Sequence, residues 1–190
     1  MQAIIGVVLA GGRSSRMGRD KALLHWQGKT LLQTKVEQLQ RLLGSAVYVS
    51  GQYPGYQCIV DIDISRGPLS GIYSCLNQLE SPAFLFVPVD MPLLSDVVLR
   101  QLLACFQQTN RSAYCQNSMF PLYVVRNQQT ESILRSLLDE QDPKRASIVA
   151  FSSAIGANVI ELPAEYQTVM VNTNTPDQWQ AAQKTNGEHS

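Results

Sequence analysis

The fold class this sequence predicts is α/β, with a mostly parallel sheet covered by helices on both faces. Three observations predict it. Short apolar runs alternate with amphipathic stretches along the whole chain, as strands alternate with crossover helices. Two of those runs, Ile4 to Ala10 and Ala83 to Val87, are continuously apolar, as in strands buried on both faces. The 190 residues are 45% hydrophobic, enough to bury a sizeable core and too apolar for a disordered chain.

Each element follows from local pattern. Ile4 to Ala10 is a strand, with turn residues after it. Thr30 to Leu43 places Leu32, Val36, Leu39 and Leu43 on one helical face, and Gly44 stands at the C-cap position. Ala46 to Ser50 and Cys58 to Asp61 read as strands, Leu69 to Leu79 as a helix, and Ala83 to Val87 as a strand that ends near Pro88. Ser95 is expected to cap a helix carrying Val98, Leu99, Leu102, Leu103 and Phe106. Ala113 to Gln116 and Leu122 to Val125 are further strands, and Ile133, Leu134, Leu137 and Leu138 mark a helix. Asp142-Pro143 reads as a helix start. Val159 to Leu162 and Val169 to Val171 read as short strands. Thr175-Pro176-Asp177-Gln178 opens the last helix, with a Thr cap and a Gln three residues on. Residues 1–190 are expected to form one domain, with a polar, frayed tail from about Thr185.

Charge and cysteine content narrow the function. Lys plus Arg is 15, Asp plus Glu is 15, and the formal net charge is zero. A neutral chain without a basic block does not fit long nucleic acid, where phosphate neutralisation dominates. It does not fit a membrane surface either, and no apolar run is long enough to span a bilayer. No cationic region precedes the first apolar run, so the N-terminus does not read as a signal peptide. Cys58, Cys75, Cys105 and Cys115 are scattered, without the pairing of a zinc site. They are expected to be reduced, in a cytoplasmic protein.

Ligands of parallel α/β sheets sit at the carboxyl ends of the strands. After the first strand comes Gly11-Gly12, and then Arg13, Arg16, Arg19 and Lys21, four cations within nine residues. Adjacent glycines let backbone N–H groups approach an anion, and arginine and lysine neutralise phosphate. Neither G-x-G-x-x-G nor the Walker A pattern is present, since Gly18 is followed by Arg19. The loop reads as a phosphate-binding loop; a solvated basic turn is the alternative. Asp90 is the one acid in Phe84 to Pro92, and it follows a buried strand. One carboxylate is enough for Mg²⁺ shared with nucleotide phosphates. An aspartate that only orders its own turn is the competing reading.

Six segments together resemble a known family. Leu9-Ala10-Gly11-Gly12, Arg16-Met17-Gly18, Asp20-Lys21, Gly67-Pro68-Leu69-Ser70-Gly71, Val89-Asp90-Met91-Pro92 and Asn172-Thr173-Asn174-Thr175-Pro176 are similar in order and spacing to the MobA family, the molybdenum cofactor guanylyltransferases of the nucleotidyltransferase superfamily. The resemblance runs from about residue 4 to 180. It implies a Rossmann-like three-layer α/β/α sandwich and Mg²⁺ as cofactor. It also implies transfer of GMP from GTP to molybdopterin cofactor, with pyrophosphate released.

Carried over by position, the resemblance puts Leu9, Ala10, Gly11 and Gly12 against GTP. Lys21 and Arg16 fall on the phosphates, and Asp90 on Mg²⁺ and GTP; Arg16, Lys21 and Asp90 would be catalytic. Asp61, or else Asp63, matches the nucleotide-binding aspartate. Asn172 and Asn174 match a pair near the second substrate. Ser50 stands where some members have Asn, and Phe120 stands where others have a polar residue before Pro121. The implied partners are GTP, molybdopterin cofactor and, transiently, cofactor-delivering or acceptor proteins, for a monomeric enzyme. Related enzymes using CTP or a sugar phosphate, and a non-catalytic nucleotide-binding module, are the competing readings.

Overall fold

The computed structural model describes residues 4–11, 20–61, 67–142 and 145–187. In chain order the strands and helices are β1 (Ile4–Leu9), β2 (His25–Trp26), β3 (Lys29–Thr30), α1 (Leu31–Leu43), β4 (Val47–Ser50), β5 (Cys58–Ile59), α2 (Pro68–Gln78), β6 (Ala83–Pro88), α3 (Asp96–Thr109), β7 (Ala113–Cys115), β8 (Leu122–Val125), α4 (Gln128–Asp139), α5 (Ile148–Ala154), β9 (Asn158–Ile160), α6 (Ala164–Gln167) and α7 (Pro176–Gly187). Seven of the described strands form one sheet in the order β5-β4-β1-β6-β8-β7-β9. Pairing is parallel from β5 to β6, antiparallel on both sides of β8, and parallel between β7 and β9. The expected mostly parallel sheet is therefore present, with β8 as its reversed strand.

Alternation along the central strands divides the core into two layers. Val8 of β1 and Ala83, Leu85 and Val87 of β6 pack with Leu32 and Leu39 of α1 and Val98, Leu99 and Leu102 of α3. Val7, Phe84 and Phe86 point the other way, onto Leu69 and Ile72 of α2, Leu134 of α4 and Phe151 of α5. Every residue of β6 is buried. Covering both faces of a strand leaves no solvent-facing position to alternate, which is why β6 is a continuous apolar run.

The caps follow sequence. Thr30 accepts from Gln33 N at the start of α1, and Gly44 closes it in the left-handed region. Asn127 caps α4 through Thr130 N. At α7 the Thr175 hydroxyl accepts from Gln178 N while Gln178 Oε1 accepts from Thr175 N, a reciprocal capping box.

Several expectations need correction. Ser95 occupies the N-cap position of α3, but its hydroxyl makes no capping bond. The helix expected at Asp142-Pro143 begins at Ile148, capped by the Ser147 hydroxyl through Ala150 N. Asp142 instead turns the chain, its carbonyl accepting from Arg145 N and Ala146 N; Pro143 lies outside the described residues. Val169 and Met170 belong to a 3-10 turn, not a strand. They pack onto the core beside Tyr166 and Trp179, so burial without a neighbouring strand accounts for that apolar run. The strand expected at Val159 to Leu162 is β9, set earlier by its register with Ala113 to Cys115. Helix α7 spans Pro176–Gly187. The β2–β3 hairpin has no counterpart in the expected elements.

All four cysteines are free. Among the described residues, no helix is long and apolar enough to cross a membrane.

One buried cation ties α1 to the segment between β6 and α3. Lys35 is 1% exposed. Its Nζ donates to Gln38 Oε1 (3.0 Å) and Leu94 O (3.4 Å), and Gln38 Nε2 donates to Leu94 O and Asp96 Oδ1, both at 2.9 Å. Burial pushes the Lys35 amine down from 10.5 to about 7, partly opposed by the Asp96 charge. Between those values the unfolded chain binds more protons than the folded one. Stability contributed by this group therefore rises with pH over that window, by up to about 1.4 kcal/mol per pH unit. Lys35→Met is expected to abolish the rise. Urea melts of both proteins at pH 7 and pH 10 check this, and equal pH slopes would count against it.

Candidate active site

Strands β1 and β6 lie side by side with Leu9 opposite Pro88, so the residues after them emerge together at the carboxyl edge. Val89 N donates to Leu9 O at 3.1 Å and extends this pairing by one bond. A cavity of about 240 Å³ opens there, lined by Leu9, Ala10, Gly11, Asp20, Lys21, Pro68, Pro88, Val89, Asp90, Phe120 and Asn172. Six of the residues expected from sequence thus share one wall: Leu9, Ala10, Gly11, Lys21, Asp90 and Asn172.

A charged cluster stands at this cavity. Lys21 Nζ lies 3.2 Å from Asp90 Oδ2 and donates to Asn174 Oδ1 at 2.6 Å. These partners are 69 and 153 positions away in sequence. The C-terminal segment locks the arrangement. Thr173 N and Thr173 Oγ1 both donate to Asp90 O, at 2.8 and 3.1 Å. Gln178 Oε1 accepts from Asn174 N at 2.8 Å, which fixes the backbone from which Asn174 reaches Lys21. The side chains of Lys21 and Asp90 are 15% and 19% exposed, enough to meet a ligand and too little to wander in solvent.

Asp61 belongs to the opposite flank of the glycine segment. Its Oδ1 accepts from Ser50 Oγ at 3.0 Å. Burial pushes its carboxyl above the usual range, and the Ser50 bond opposes that shift. A Cβ built on Gly11 would stand 3.4 Å from Asp61 Oδ2, so the carboxylate faces the glycine backbone. A Cβ on Gly71 would stand 2.6 Å from Ser50 Oγ, which makes glycine there a requirement of the Ser50–Asp61 pair. Ser50 also anchors the loop directly, its carbonyl accepting from Ala10 N at 3.1 Å. The serine that departs from the family pattern thus orients an acid. Phe120, the other departure, lines the cavity.

Gly12, Arg13, Arg16, Arg19 and Asp63 lie outside the described residues, as does His189. His25 is exposed on β2. Sequence reading missed Thr173, which carries no charge and acts on a backbone carbonyl 83 positions away. It also gave no lining role to Pro68, within the Gly67 to Gly71 segment, or to Phe120, noted there only as a departure before Pro121.

Among the described residues no group of three or more His, Cys, Asp or Glu could hold a metal ion. Asp90 is the carboxylate at the centre of the cluster. This donor set does not fit a metal caged wholly by protein. It fits a hard cation that takes one carboxylate and completes its shell with water and phosphate, as Mg²⁺ does.

Known proteins resemble this chain in sequence and in fold. Residues 6–152 match the profile of the MobA-like NTP transferase domain. The chain is 40% identical over 179 residues to a molybdenum cofactor guanylyltransferase of Xanthomonas euvesicatoria pv. vesicatoria (strain 85-10), covering 92% of this chain and 91% of that one. It is 26% identical to a probable molybdenum cofactor guanylyltransferase of Bacillus cytotoxicus, over 94% and 96% of the two chains. In fold it is similar to the solved structure of molybdopterin-guanine dinucleotide biosynthesis protein A from Archaeoglobus fulgidus, with TM-score 0.71 and 18% identity over 97% and 99% of the chains. The α/β sheet, the cavity at its carboxyl edge and these matches have one reading in common: the chain belongs to the MobA-like NTP transferase family.

Proposed function

We propose that this protein is a nucleotidyltransferase that moves GMP from GTP to the terminal phosphate of molybdopterin cofactor. The observation that carries the proposal is the convergence of Lys21, Asp90 and Asn174 beside Gly11 at the carboxyl edge of β1 and β6. An oxygen of the pterin phosphate attacks the α-phosphorus of GTP. A new P–O bond forms, the bond to the β-phosphate breaks, and pyrophosphate leaves with its electron pair. The attacking phosphate is already anionic at neutral pH, so the step needs no strong general base. It needs two polyanions held together, which is a matter of charge and position.

This chain supplies both. The Lys21 ammonium neutralises phosphate charge, as does Arg16. Leu9, Ala10, Gly11 and Gly12 bring backbone close to the nucleotide. Asp61, held by Ser50, accepts hydrogen bonds from nucleotide donors. Asn172, on the cavity lining, and Asn174, bonded to Lys21, contact the second substrate. Asp90 would hold Mg²⁺, whose chemistry when bound is to offset negative charge on the phosphates. We read residues 1–190 as one catalytic unit, monomeric and cytoplasmic, which meets cofactor-delivering or acceptor proteins only transiently.

The test is Mg²⁺-dependent pyrophosphate release from GTP, CTP, ATP and UTP, each with and without molybdopterin cofactor. Release from GTP alone, and only with the pterin, is expected. Release from CTP would transfer the protein to a cytidylyl reaction with the same site. Tight GTP binding without release would make it a binding module.

A further inference from the structure

We infer that Tyr53 is a positioning residue for the transfer reaction, acting through Asp20 on Lys21; as a statement about catalysis this rests on the function proposed above. Tyr53 comes from the β4–β5 connection. Its hydroxyl lies 3.1 Å from Ala10 O and 3.0 and 3.2 Å from the two carboxylate oxygens of Asp20. One phenol thus touches the chain just before the glycine segment and again just before Lys21.

Asp20 transmits the contact. Its Oδ1 accepts from Ala22 N at 3.0 Å and caps the turn Lys21–Leu23. That turn is anchored inward by Ala22, which is fully buried. It presents Lys21 Nζ to Asp90 and Asn174. A hydrogen bond to the capping carboxylate therefore fixes the base of the turn from which the lysine reaches the site.

The backbone of Tyr53 is held by Cys58 and its ring rests against Gly51. Tyr53 N donates to Cys58 Sγ, and Cys58 Sγ donates to Tyr53 O, both at 3.3 Å. The ring lies over Gly51, where a Cβ would stand 2.8 Å from Tyr53 Cε2, and the Gly51 φ of +143° is one that other residues rarely adopt. Burial and the neighbouring Asp20 charge raise the phenol above its ordinary range, so it stays protonated and keeps its donor at every physiological pH. Tyr53 itself carries no formal charge and stands in no motif that would mark it in sequence.

The experiment uses Tyr53→Phe, which removes only the hydroxyl, and Asp20→Asn, which keeps the cap but weakens the acceptor. In each, the rate of Lys21 acetylation by acetic anhydride is measured by mass spectrometry against Lys29 in the same sample, without nucleotide. Lys21 labelling is expected to rise several-fold relative to Lys29 while the melting temperature stays near wild type. Mg-GTP affinity is expected to fall roughly tenfold in Tyr53→Phe, as for loss of a hydrogen bond to a charged group. In a Lys21→Met background the same change is expected to cost nothing further, because its route to the nucleotide is gone. Unchanged Lys21 labelling in both variants, or losses that add fully to Lys21→Met, would overturn the inference. Raised labelling in a protein that fails to bind GTP at all would leave the positioning role standing and remove the substrate assignment instead.

Discussion

Asp90→Ala is expected to lower pyrophosphate release from GTP by on the order of 10²–10³, with the fold intact and GTP still bound. The size follows from what the carboxylate does at the phosphates. It is the acid at the centre of the charged cluster, 3.2 Å from Lys21 Nζ. On the proposed assignment, losing it would remove the protein's hold on the cation and leave the developing charge on pyrophosphate to Lys21 and the loop arginines.

The fold is expected to survive because only the Asp90 backbone, not its side chain, accepts the Thr173 bonds, and that carbonyl remains in an alanine. Affinity for the nucleotide is expected to hold because removing a negative group from a phosphate site makes its field more positive. Steady-state pyrophosphate release, titrated with Mg²⁺, and GTP binding by calorimetry separate the two effects. Wild-type turnover in Asp90→Ala would end the metal assignment. Lost GTP binding together with a lowered melting temperature would make Asp90 a structural residue.

How far the sequence discloses this site depends on the range of each interaction. Strands β1 and β6 are legible because burial on both faces imposes an uninterrupted apolar run, and Asp90 stands out against one. The capping boundaries of α1 and α7 are legible because caps are made within four residues. The helix at Ile148 starts later than the sequence predicts because Asp142-Pro143 carries the composition of a start, while the cap that forms is Ser147. The hairpin β2–β3 has two-residue strands, too short for any periodicity to register. Val169 to Val171 has the composition of a strand, yet Val169 and Met170 sit in a 3-10 turn against the core. Least legible is the assembly itself. Thr173 clamps a carbonyl and Tyr53 holds a cap, and each acts across dozens of residues through a neutral side chain. Shared topology, absent from any local window, brings them to the site.

Lys21→Met is expected to match Asp90→Ala in lost turnover, on the order of 10²–10³, and to differ from it in binding. The methionine keeps the length and apolar stem of lysine while deleting its charge and its donors. Three consequences follow from the geometry. The phosphates lose a cation, so GTP affinity falls, unlike in Asp90→Ala. Asp90 loses the positive group 3.2 Å from its Oδ2, so the free protein becomes more attractive to a divalent cation. Asn174 loses the hydrogen bond at 2.6 Å that ties the C-terminal segment to the turn at Lys21. The last effect is local, because Thr173 still clamps Asp90 and the capping box still starts α7. The melting temperature should therefore change little. Mn²⁺ binding to the nucleotide-free protein, followed by electron paramagnetic resonance, should tighten in Lys21→Met and weaken in Asp90→Ala. Opposite shifts in cation affinity with equal losses in turnover are what a lysine and an aspartate sharing one phosphate site require. Parallel shifts would mean that the two side chains serve different ligands.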